Sequence, residues 1–165
     1  MMEEDIHAKG DEEKGIESSA AIKSKRVLVV HHAGPTLRLI REALQGFTEA
    51  TVDTTPDALY GFEMALKRPY NLFIFSLSLP RIDGELLYEL IDKAYAHSHE
   101  GVRVTPAVMY IVEEAQAMQS QGLLRDARVR GILTKPLNID RLLKLVAEAG
   151  LRVGDGGLSR SGRSH

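Results

Sequence analysis

Residues 70–84 read YNLFIFSLSLPRIDG, and the fold turns on how this stretch is divided. Leu72, Phe73, Ile74 and Phe75 form a short unbroken apolar run, rich in aromatic and branched side chains. Such a run suits a strand buried on both faces, as in the middle of a parallel sheet. It stops at Ser76, and Pro80 and then Asp83-Gly84 supply turn residues. The strand therefore delivers one small hydroxyl, Ser76, to its carboxyl end. In open α/β sheets that edge is where ligands and chemistry sit.

Around this stretch the chain has the makings of one domain. Its 165 residues suffice for one real core and are too few for two comfortable ones. Hydrophobic residues make up 44% and charged residues 27%, the balance of an ordinary globular protein. A net charge of −2 gives no global attraction to nucleic acid or to an anionic membrane. The absence of Cys excludes disulfide and thiolate chemistry and is compatible with a cytoplasmic location. The acidic start has no apolar core of a signal peptide, and no run is long enough to span a bilayer.

Residues 1–24 are rich in Glu, Asp, Lys, Gly and Ser with no apolar period, the composition of a disordered acidic tail. Val27 to Val30 form a second buried-strand run, followed by His31-His32 and by Pro35, which suits the first turn of a helix carrying Leu37, Ile40 and Leu44. Glu49 to Asp53 predicts a weaker strand. Thr54-Thr55-Pro56-Asp57 predicts a helix start, with a Thr cap, and Ala58, Leu59, Phe62, Ala65 and Leu66 give its stripe. Beyond the central strand, Leu86, Leu87, Leu90, Ile91 and Ala94 mark a third helix, and 97–101 a polar loop. Ala107 to Val112 predicts a fourth strand, opened by Thr105-Pro106; residues 113–125 predict a poorly patterned helix. Val129 to Leu133 is the fifth strand, and Asn138 caps a last helix closed by Gly150. Five strands alternating with five helices predict a doubly wound α/β domain over 25–150, with a flexible tail over 151–165.

The chain from Arg26 to Ala149 resembles a response-regulator receiver domain. Asn71, Leu72, Pro80, Ile82, Asp83 and Gly84 fit that family's third-strand pattern, and Thr105-Pro106 and Lys135-Pro136 fall at the expected separations. The resemblance implies a flavodoxin-like (βα)5 fold, strand order 2-1-3-4-5, and a cis bond before Pro136. In a working receiver, carboxylates hold Mg²⁺, an Asp accepts the phosphoryl group, and a Lys with a Thr or Ser binds its oxygens. An aromatic residue on strand five reports the change.

This sequence departs from that pattern at most steps. His31-His32 stand where the acidic pair belongs, with one residue, Gly34, inserted before Pro35. Ser76 holds the acceptor position, Ile111 the switch hydroxyl, and Ile132 the strand-five aromatic; Lys135 remains, and Asp83 belongs to the turn. Without carboxylates Mg²⁺ has no hard anionic ligands, and Ser76 without a base is a poor nucleophile near neutral pH. Adjacent residues at a strand end tend to point apart, which argues against metal binding by the His pair. The expectation is a single-domain pseudo-receiver: no enzyme, no cofactor, no metal, and no nucleic-acid or membrane partner. Its partners would be signalling proteins meeting the face formed by residues 116–130 and 138–148, with self-association left open. The competing reading is a domain sensing or acting on a small anion or metal through His31, His32, Ser76 and Lys135.

Overall fold

The computed structural model describes residues 25–102 and 104–154. The expected acidic tail over 1–24 and most of the C-terminal tail lie outside these residues. Five parallel strands form one sheet in the order β2-β1-β3-β4-β5. They are β1 (Arg26–Val30), β2 (Thr51–Thr55), β3 (Leu72–Ser76), β4 (Ala107–Val112) and β5 (Val129–Thr134). The helices are α1 (Gly34–Phe47), α2 (Ala58–Lys67), α3 (Gly84–Ser98), the single turn α4 (Ala117–Ser120) and α5 (Ile139–Glu148). This is the flavodoxin-like topology read from the sequence.

The three inner strands explain the apolar runs. Every residue of β3 is buried, because β1 and β4 flank it and helices cover both faces. Successive side chains alternate between the faces. Val27, Val29, Leu72, Ile74, Met109, Ile111 and Leu133 pack with α1 and α5. Leu28, Val30, Phe73, Phe75, Tyr110 and Ile132 pack with α2 and α3 on the other side.

Several local expectations need correction. The edge strand β2 starts two residues later than expected. The Thr48 hydroxyl bonds back to the Leu44 carbonyl at 2.6 Å and accepts from the Ala50 amide at 3.1 Å, holding 48–50 in the helix exit. Thr55 consequently belongs to the strand, and Asp57 caps α2 instead, accepting from the Leu59 and Tyr60 amides. On α3 the buried set is Leu87, Tyr88, Ile91 and Tyr95, while Leu86 and Leu90 face outward. The two tyrosines tolerate burial because each hydroxyl has a backbone partner, Pro106 O for Tyr88 and the Tyr70 amide for Tyr95.

The predicted polar loop over 97–101 is half helix. α3 runs to Ser98, and His99 is buried against Tyr95 with Nε2 2.7 Å from the Ala65 carbonyl, tying α3 to α2. Residues 113–125 do not form one helix. They break into a 3₁₀ turn, α4 and a second 3₁₀ turn, consistent with the missing apolar stripe and with Ser120 bonding back to Gln116. At the other end the domain outruns its expected limit at residue 150. Gly150 takes a left-handed cap (φ 105°), Leu151 is buried, and Val153 bridges Thr48. Among the described residues no helix is long and apolar enough to cross a membrane.

Candidate functional site

The site lies where β1, β3, β4 and β5 end. Ser76 and Ile111 are register partners, and Ser76 is in step with Leu72 and Ile74. His31 and Lys135 are likewise in step with the β1 and β5 residues of the α1/α5 face. His31 and Lys135 follow directly on β1 and β5, so His31, Ser76, Ile111 and Lys135 all lie along the carboxyl edge of the sheet. Ile132 falls on the opposite face beside Tyr110, and the Asp83 carboxylate caps α3 through the Leu86 amide at 2.7 Å.

His31 is fully buried. Its Nδ1 accepts from the Ala33 amide at 3.0 Å, so a neutral ring carries its proton on Nε2. That Nε2 is buried without a partner among the described residues. Burial, then the Lys135 ammonium, then His32 lower its pKa from 6.5 to about 4. The His32 ring is not turned away as expected. It stacks on His31 at 4.7 Å between centroids, because β1 ends at Val30 and strict alternation ends with it.

The Ser76 hydroxyl is buried and donates to the Ser78 carbonyl at 2.8 Å. With Nδ1 engaged and Nε2 protonated, His31 has no lone pair to accept a proton from Ser76, so the two cannot work as nucleophile and base. Lys135 donates its backbone amide to Val112 O, and its ammonium lies 3.6 Å from a Glu113 carboxylate oxygen. The Lys135–Pro136 bond is cis. In the sequence Glu113 stands only as the start of the poorly patterned helix over 113–125. Its place directly after β4 was the available signal, since strand carboxyl ends line the site.

These groups do not fit Mg²⁺. The ion needs oxygen ligands, usually one or two carboxylates. The edge offers two imidazoles, a hydroxyl already donated and an ammonium, with Glu113 paired to that ammonium. Among the described residues no three His, Cys, Asp or Glu side chains gather as a metal-binding group.

The buried His31 makes stability depend on pH. Its folded pKa lies below its ordinary value, so between pH 6.5 and 4 the unfolded chain binds more protons and stability falls with acidification. The expected loss from His31 is about 2 kcal/mol between pH 7 and pH 5. His31→Asn keeps an acceptor for the Ala33 amide and removes the titration. Urea melts at both pH values should show a smaller acid loss in the variant; equal losses would place a proton on His31 in the fold.

No protein-family model and no curated protein matches this chain. Solved structures do. A response-regulator receiver domain protein from Clostridium thermocellum aligns over 76% of this chain and 93% of its own, at 17% identity and TM-score 0.62. The signal receiver domain of a putative Luxo repressor protein from Vibrio parahaemolyticus aligns over 76% and 89%, at 19% identity and TM-score 0.64. The chemotaxis response regulator CheY4 of Vibrio cholerae aligns over 77% and 99%, at 16% identity and TM-score 0.62. The chain shares with these proteins the receiver fold across nearly their whole length.

Proposed function

We propose that this chain is a pseudo-receiver: a signalling module that binds partner proteins without being phosphorylated. One observation carries the reading, the donor set at the sheet edge. Ser76 stands where an acceptor carboxylate would be, His31 is neutral and enclosed, and Glu113 pairs with the remaining Lys135. A phosphoryl group needs its charge neutralised as it transfers, and a metal ordinarily does this. The residues present offer no such ion a seat. Ile111 is packed into the α1/α5 core and supplies no hydroxyl to bind phosphoryl oxygens.

The contact surface in this proposal is the α4–β5–α5 face, residues 116–130 and 138–148. Met118 is 89% exposed and Leu124 44%, so apolar side chains are open there for a partner. Incubation with acetyl phosphate and Mg²⁺ followed by intact-mass spectrometry tests the proposal. The mass should not change; one added phosphoryl group would overturn the reading.

A further inference from the structure

On the face away from the His31 edge, a cleft of about 260 Å³ opens between α3 and the 3₁₀ turn Gln121–Arg125. Tyr88, Tyr110, Leu123 and Val129 line it, with Glu85, Glu89 and Asp126 among its charged residues. Ligand pockets for whole cofactors or drug-sized molecules start at about 300 Å³, so this cleft suits a single side chain.

Three features set the chemistry of that side chain. Tyr110 is 1% exposed, yet its hydroxyl has no hydrogen-bond partner among the described residues, whereas those of Tyr70, Tyr88 and Tyr95 all do. Burial first, and then the Glu85 charge, hold its phenol protonated. Glu85 makes no ion pair with a described residue. Glu89 and Asp126 are already engaged by Arg128, which leaves Glu85 as the lining carboxylate without an ion-pair partner among the described residues; the one lining cation, Arg125, is exposed to solvent.

The neighbouring Arg128 shows what this surface accepts. Its guanidinium lies 5.2 Å from the Tyr88 ring centroid and pairs with Asp92, Asp126 and Glu89. A planar guanidinium serves aromatic faces and several acceptors at once, which a compact ammonium does not. We infer that the cleft between α3 and the 3₁₀ turn is a docking site for an arginine side chain of a partner protein, held by Glu85 and the Tyr110 hydroxyl. This deepens the interaction-module reading by naming the partner's chemistry, and it depends on arginine recognition, not on phosphorylation.

The test titrates the ¹⁵N-labelled full chain with N-acetyl-arginine amide and, separately, with the neutral N-acetyl-citrulline amide. The arginine probe should give saturable amide shifts at Tyr110, Leu123 and Asp126, with citrulline about tenfold weaker, a difference near 1.4 kcal/mol. Glu85→Gln and Tyr110→Phe should each weaken arginine binding by about threefold or more. A Cβ at Gly122 meets no atom within 4 Å, so Gly122→Met can fold while it plugs the cleft, and it should abolish saturation. Linear, unsaturating shifts up to about 50 mM, equal binding of citrulline, or full binding by Tyr110→Phe would overturn the assignment.

Discussion

Gly84→Ala should destabilise the domain by about 3 kcal/mol, lowering the melting temperature by roughly 10 °C. A Cβ at Gly84 would lie 2.2 Å from the Ser76 carbonyl oxygen and 3.2 Å from Leu77 Cα, both backbone atoms that cannot rotate aside. The turn has little slack to absorb the clash. Gly84 donates its amide to Leu77 O at 2.9 Å, and Asp83 already caps α3. Arg81 sits in the left-handed region (φ 75°), which costs a non-glycine residue about 1–2 kcal/mol. Gly122→Ala is the control, since its Cβ enters open space and should leave stability unchanged within about 0.5 kcal/mol. Thermal melts of the two variants decide the matter. A Gly84→Ala protein as stable as its parent would mean that β3 and α3 are not joined this closely.

The second large effect is a gain of chemistry that needs more than the acceptor. Ser76→Asp alone should remain unmodified by acetyl phosphate and Mg²⁺. The new carboxylate supplies a nucleophile, but the metal would find too few anionic oxygens beside His31 and His32. Lys135 would also draw the carboxylate's pKa down and blunt its attack. Adding His31→Asp and His32→Asp should restore Mg²⁺ binding first and slow phosphorylation second, from no detectable adduct to a measurable one. Mass spectrometry reads the phosphoryl group, and amide shifts read the metal. Full modification of the single Ser76→Asp variant would show that the His pair is not what silences the edge.

Much of this architecture is legible in the residues because burial on both faces leaves a plain trace. β1, β3 and β4 read as unbroken apolar runs, and α5 reads as a clean stripe capped by Asn138, whose side chain accepts from the Arg141 amide. Edges and breaks read poorly. β2 is an edge strand with a polar face, and its Asp53 is claimed by Arg26, Arg68 and Tyr70, contacts invisible to a pattern of hydrophobicity. On α3 the leucines carry the apolar stripe of the sequence, yet Tyr88 and Tyr95 are buried because backbone partners satisfy their hydroxyls. The fragmentation of 113–125 could be suspected from weak patterning but not drawn. At the sheet edge, the ends of β1, β3 and β5, legible as the ends of apolar runs, place His31, Ser76 and Lys135 along one edge. The Glu113 partner of Lys135 and the stacking of the two imidazoles depend on side-chain geometry beyond the strand ends, where periodicity gives no guidance.

The most direct test of the central claim compares amide NMR spectra of the full chain with and without beryllofluoride and Mg²⁺. A ligand shifts a conformational equilibrium only by interacting differently with its two states. With Ser76 in place of a carboxylate at the end of β3, Ile111 packed in the core, Ile132 on the opposite face and Lys135 paired with Glu113, the proposed pseudo-receiver offers the phosphoryl mimic neither an acceptor nor a switch hydroxyl or aromatic through which to act. The two spectra should overlay. Large shifts at Ser76, Ile111 and Ile132 would contradict it.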